Sequence, residues 1–231
     1  MTCQVFSTAL TVILLTAWCS GQATGRTSPE EAVPLLTEVL RTAGLSGSLE
    51  FSGDCEDIGH AWDFPKLHSP TIGEPPLQAL REIFSADPKM QITQDSSGIV
   101  RMVEIDIPHD LIDIRLNHLE FHRSQSPSVP LYDPEIALSK ILSAPEMKDF
   151  SAAHDIAPPY TKALNSHSVS PESPHTLETL EGLTVSQALD HLLLTFPGIW
   201  VYKDCPTTVA RKRRFEFSFY RNNPGRIEHP K

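Results

Sequence analysis

Apolar residues recur along the chain in two rhythms, one helical and one extended. Val33, Leu36, Val39 and Leu40 mark one side of a helix that opens at Pro29-Glu30-Glu31, where acidic side chains favour the positive end of the helix dipole. Pro34 is placed in the opening turn, where proline is tolerated. Gly44 and Gly47 punctuate before a strand at Leu49. A long loop rich in Gly and Pro is expected from Glu56 to Pro75. Leu77, Leu80, Ile83 and Phe84 predict a second helix, and Met90 to Thr93 a strand. Asp95-Ser96-Ser97-Gly98 reads as a turn, with Val103, Ile105 and Ile107 alternating in one strand and Ile112, Ile114 and Leu116 in another. Asp133 caps a helix with Pro134 at its first position; it runs to about Ser143 and stops at Pro145. A third helix spans Ser186 to Leu194, a strand covers Ile199 to Tyr202, and Phe215, Phe217 and Phe219 alternate in a closing strand.

One helix–strand unit recurs with the same ending. Leu49-Glu50-Phe51-Ser52-Gly53-Asp54-Cys55, Met90-Gln91-Ile92-Thr93-Gln94-Asp95-Ser96 and Ile199-Trp200-Val201-Tyr202-Lys203-Asp204-Cys205 all close on Asp followed by Cys or Ser. Pro76 to Ser96 aligns without a gap on Val185 to Cys205, with Gln78-Ala79-Leu80 on Gln187-Ala188-Leu189 and Pro88 on Pro197. Repeated helix–strand–strand units predict an α+β fold with helices packed on one face of a mixed or antiparallel sheet. The expected organisation is a signal peptide over 1–23, two repeats over 29–122, a loop and helix over 123–153, a linker rich in Pro, Ser and His over 154–176, the third repeat over 177–222 and a tail over 223–231. The recurring aspartates are read as turn residues that bond their own backbone, or as a shared polar site at one sheet edge.

The export signal rests on Ala9 to Trp18, which is almost continuously apolar yet too short to span a bilayer, followed by small residues at Gly21 and Ala23. No Lys or Arg precedes it, and a buried N-terminal element is the alternative. With the signal removed, only Cys55 and Cys205 remain. Both have the parity of the apolar residues in their strands, so both sulfurs are expected on the apolar face. In an exported protein such a pair predicts a disulfide, which requires the two strand ends to lie together. Two buried thiols are the alternative. The mature chain is expected to be periplasmic or secreted and without a membrane span.

The stretch Leu180-Glu181-Gly182-Leu183-Thr184-Val185-Ser186-Gln187-Ala188-Leu189-Asp190-His191-Leu192-Leu193, followed by Gly198-Ile199-Trp200-Val201-Tyr202, resembles the secretin and TonB short N-terminal domain. Val33 to Phe51 resembles that family's opening half. The resemblance covers about a third of the chain. It implies a strand, a helix and then a strand pair, and at most a periplasmic interaction module. It brings no catalytic residue.

Net charge is −10, which argues against nucleic acid or an anionic membrane as a partner. The basic run Arg211, Lys212, Arg213 and Arg214 is a local exception, read as a solvated hairpin tip or a phosphate contact. His118 and His122 stand four apart. On a strand they share a face with Glu120, which could hold a metal or be a polar edge. Glu104, Asp106, His109, Asp110 and Asp113 form the densest polar cluster, suited to acid–base chemistry or a hard cation, or to a solvated strand face. A serine-hydrolase elbow, a phosphate loop and a dinucleotide fingerprint are all absent from the sequence. The sequence therefore predicts a non-enzymatic binding or interaction module with no cofactor, engaging another protein through a sheet edge. A metal-dependent hydrolase using the acidic and histidine residues is the alternative, and a structural envelope component is a third.

Overall fold

A computed structural model describes residues 29–53, 67–71, 73–121, 134–157, 179–205 and 212–222. The expected signal peptide, the tail and most of the linker lie outside the described residues, as do Asp54, Cys55, His122 and Arg211. In chain order the elements are α1 (Pro29–Thr42), β1 (Gly47–Ser52), α2 (Pro76–Ile83), β2 (Met90–Gln94), β3 (Val100–Glu104), β4 (Arg115–Glu120), α3 (Pro134–Leu142), α4 (Pro145–Ala153), β5 (Thr179–Thr184), α5 (Val185–Thr195), β6 (Gly198–Cys205) and β7 (Arg214–Arg221). The fold is α+β. A five-stranded mixed sheet runs in the order β2-β3-β1-β6-β7, and β4 and β5 form a separate ribbon. β1 is parallel to both β3 and β6, while the outer pairs β2–β3 and β6–β7 are antiparallel hairpins.

Local chemistry sets the element ends. Gly44 adopts φ +66° just after α1, a conformation that glycine enters without a Cβ clash. Gly98 adopts φ +88° in the β2–β3 turn, which is built on Asp95: its Oδ1 accepts the backbone N–H of Ser97 at 2.9 Å and of Ile99 at 3.0 Å. The Thr184 hydroxyl accepts from Gln187 N–H while the Gln187 side chain accepts from Thr184 N–H, a capping box that starts α5.

Helices cover both faces of the sheet, not one. On one face, Val33, Leu36 and Leu40 of α1 and Leu80 and Ile83 of α2 pack on Leu49, Phe51, Met102, Ile199 and Val201. On the other, α3, α4 and α5 close over Trp200, Tyr202, Phe215, Phe217 and Phe219. The reason is the central position of β1. A strand flanked on both sides by parallel neighbours is typically buried on both faces, and five of its six residues are buried.

The two gaplessly aligned copies are not equivalent in space. α2 packs on the face that carries Ile92, whereas α5 packs on the face opposite Val201, the residue aligned with Ile92. β2 is an edge strand and β6 an inner one. Pro145, read as a helix stop, occupies the first turn of α4, with Ala144 at its N-cap. β3 ends at Glu104, and Ile105 and Asp106 lie in a turn. Residues 111–113 also turn, so β4 begins only at Arg115.

Candidate functional site

β1 places one side chain that apolar packing does not explain. Glu50 is 4% exposed, flanked by Val103 on β3 and Tyr202 on β6. Its Oε1 accepts the Ser48 hydroxyl at 3.1 Å. Its Oε2 lies 3.6 Å from His109 Nε2, too long for a hydrogen bond. Burial pushes the Glu50 carboxyl up, and the opposing pull of His109, Ser48 and Arg101 does not cancel it.

Above Glu50 is an open cleft of about 360 Å³. Gln91 and Thr93 of β2, Arg101 and Val103 of β3, and Glu50 form its floor; His109, Ile112 and Asp113, with Ser186 of α5, form its wall. The wall is fixed by Ser186 N–H donating to Ile112 O at 2.9 Å and Val185 N–H donating to Ile114 O at 3.0 Å. The large side chains packed under α3 and α5 come from β6 and β7, and the cleft opens over β1, β2 and β3 of the same face.

Two arginines organise this face. Arg101 donates to Asp95 Oδ2 at 2.7 and 3.1 Å and to Asp190 Oδ1 at 2.8 Å. The Trp200 indole N–H donates to the same Asp190 oxygen at 2.9 Å, and Arg101 lies 5.9 Å from the Trp200 ring centre. Arg213 donates to Asp204 Oδ1 at 2.6 Å, to Asp110 Oδ1 at 2.8 Å and to the Tyr202 hydroxyl at 3.3 Å. The two aspartates on Arg213 shift in opposite directions. Burial pushes Asp204 up despite the guanidinium, while the Arg213 hydrogen bond holds Asp110 down. The difference follows exposure, since the Asp204 side chain is 5% exposed and that of Asp110 42%.

The predicted polar cluster does not converge. His109 and Asp113 line the cleft. Glu104 accepts Ser52 N–H at 2.7 Å and, with Asp106, faces Lys89. Asp110 belongs to Arg213. The cause is the turn over 105–113, which removes the strand parity that would have aligned them. His118 lies on the exposed side of β4, 3.4 Å from Glu181 and 3.7 Å from Glu120. Among the described residues no group of three or more His, Cys, Asp or Glu could hold a metal. Within the basic run, Arg213 is a partly buried bridge and not a solvated charge, while Lys212 is half exposed and pairs with Asp155, and Arg214 is exposed at the start of β7. Asp204, read as a turn residue, is instead a buried member of β6. Glu50, Arg101 and Asp190 were not picked out from sequence. The available signal was an acidic residue and a serine inside a strand, Ser48-Leu49-Glu50-Phe51, that has to be central.

The two edges of the sheet differ. In β2, Asp95 N–H donates to Ile99 O and Ile105 N–H to Lys89 O. By alternation, the backbone of Ile92 then faces outward, and Arg81 of α2 donates to that outward Ile92 carbonyl at 3.3 Å. In β7, Asn222 N–H donates to Pro197 O at 2.8 Å. By the same alternation, Tyr220, Ser218 and Glu216 exchange bonds with β6. The N–H and C=O groups of Phe215, Phe217 and Phe219 point to the outer side, although their rings are buried in the core. Ala157 N–H takes the outward carbonyl of Arg213 at 3.0 Å, just before the strand starts. Among the described residues no strand pairs with the outer side of β7.

Cys205 ends β6 and is 1% exposed. The ends of β1 and β6 lie side by side, with Ser52 opposite Asp204 and Gly53 N–H donating to Asp204 O at 2.9 Å. Among the described residues no helix is long and apolar enough to cross a membrane. No family model, curated protein or solved structure matches the chain.

Proposed function

We propose that the chain is an exported, non-enzymatic interaction module that takes a strand of another protein onto the outer edge of β7. The observation that carries this reading is the edge itself. β7 is eight residues long, its outward backbone groups come from three consecutive odd positions, and its phenylalanine rings anchor it in the core. Natural sheets usually blunt a long edge. Among the described residues, that protection is present on β2, where Arg81 covers Ile92, and on β7 stops at Arg213. The succession β5, α5, β6 and β7 also supports the likeness to the short N-terminal domain, with β5 set apart in the ribbon with β4.

Amide hydrogen exchange on the whole exported protein tests this. The outward amides of Phe217 and Phe219 are expected to exchange about a hundredfold faster than the inward amides of Ser218 and Tyr220. Equal protection of the two sets would mean the edge is already covered, and the reading would fall. The export reading adds a Cys55–Cys205 disulfide, for which the adjacent ends of β1 and β6 are the support. Intact mass before and after reduction and alkylation checks both: loss of roughly the first two dozen residues and two masked thiols are expected. An uncleaved chain with free thiols would remove the exported premise.

A further inference from the structure

We infer that the cleft over Glu50 binds a small organic cation, a primary ammonium or guanidinium group, whose charge pairs with the Glu50 carboxylate. Four observations meet there. Glu50 is buried on the central strand yet lines an open cleft of a size suited to a small ligand. Its Oε1 is occupied by Ser48, and its Oε2 faces His109 beyond hydrogen-bond reach, so that oxygen retains acceptor capacity. The cleft's cation, Arg101, is already shared between Asp95 and Asp190 and offers no uncompensated positive charge. Asp113 opens onto the same space, and Val103 and Ile112 supply apolar surface for a methylene stem.

The charge balance sets the ligand class. Glu50 and Asp113 line the cleft with His109, and Arg101, its fixed positive charge, is held between Asp95 and Asp190, two negative charges against one. An anion would meet net negative charge. A neutral ligand would leave the buried carboxyl without a charged partner. A cation would restore to Glu50 the stabilisation that burial removes. Burial raises the Glu50 pKa, and a bound cation would oppose that rise by pairing with the carboxylate.

The test uses the whole exported protein and four probes of matched size: butylammonium, methylguanidinium, butanol and butyrate. Amide chemical shifts are followed during titration at about pH 7.5. The two cations are expected to move the amides of Glu50, Arg101 and His109 saturably, with Kd in the millimolar range (~1–10 mM) typical of so few atoms. Affinity should fall about tenfold or more in Glu50→Gln, a variant expected to stay folded because it removes a buried charge, and the same spectra verify that it does. Butanol or butyrate shifting those amides as strongly would overturn the inference. So would cation affinity unchanged in a folded Glu50→Gln protein. Failure of either kind leaves the exchange result at β7 standing, since the cleft lies over β1, β2 and β3 and β7 is the far edge strand.

Discussion

Arg101 and Arg213 sit on the same face of one sheet, each held between two aspartates, with side chains 21% and 23% exposed. They are nonetheless different devices. Arg213 joins Asp204 within β6 to Asp110 in the 105–114 turn and touches the Tyr202 hydroxyl, so it fastens a loop to the aromatic core. Arg101 joins the β2–β3 turn to α5 through Asp95 and Asp190 and borders open space. The carboxylates mark the contrast. Asp204 is 5% exposed, whereas Asp95 and Asp190 are 31% and 18% exposed. Water solvates the Arg101 group in part and barely reaches the heart of the Arg213 group. One arrangement seals the core and the other borders a site.

Removing each guanidinium should expose this difference. Arg213→Met is expected to lose about 3 kcal/mol, because it leaves Asp204 buried without its counter-charge. Urea unfolding measures it, and a loss under about 1 kcal/mol would mean that water already reaches Asp204. Arg101→Met should cost less, about 1–2 kcal/mol, since neither of its aspartates is buried as deeply as Asp204. If it proved the more damaging of the two, the distinction between fastening and bordering would have to be reversed.

Glu50→Gln should act in the opposite direction. The Glu50 pKa is raised in the folded chain, so above its unfolded value the folded state binds more protons than the unfolded one. Stability is therefore lost as pH rises from the unfolded pKa through the folded one. Asp204, also raised, contributes the same slope. The glutamine variant should melt higher at neutral pH, by about 2–4 °C if about 1 kcal/mol is relieved. Its Tm should also decline less than that of the parent as pH rises above the ordinary glutamate range. A lower Tm at neutral pH would show that the pairing with His109 outweighs burial. The smallest effect is expected at Lys89, half exposed between Glu104 and Asp106. Lys89→Ala should change stability by under about 0.5 kcal/mol in thermal melts, as an exposed ion pair contributes little. A larger loss would mark the turn after β3 as part of the fastening.

Periodicity, helical in some segments and alternating in others, made most of the elements legible. Ser186 to Leu194 was readable because Val185, Ala188, Leu189, Leu192 and Leu193 recur at helical spacing, and α5 runs from Val185 to Thr195. Proline misled because it has two meanings. Pro145 breaks one helix and, at the first turn of the next, begins another. The cleft was hidden for a different reason. Alternation in Leu49-Glu50-Phe51 reads as a strand with one wet face, and only the placement of β1 between β3 and β6 buries both faces. That placement depends on pairings between distant segments, which no local window contains. The aligned copies failed likewise: they share a local helix–strand grammar, while face and position are set by what each later packs against.

The order β2-β3-β1-β6-β7 puts the earliest strand in the middle. Its second neighbour arrives very late: Gly198 N–H reaches the Ser46 hydroxyl across 152 positions. Closing so large a loop costs conformational entropy before any contact compensates it. Folding should therefore be slow and should wait for the C-terminal hairpin. A chain truncated before β6 would have one flank of β1 unpaired and Leu49 and Phe51 without Ile199 and Val201. Such a fragment should aggregate rather than fold in part. Topology thus makes the molecule all or nothing: its centre exists only once β6 and β7 have been made.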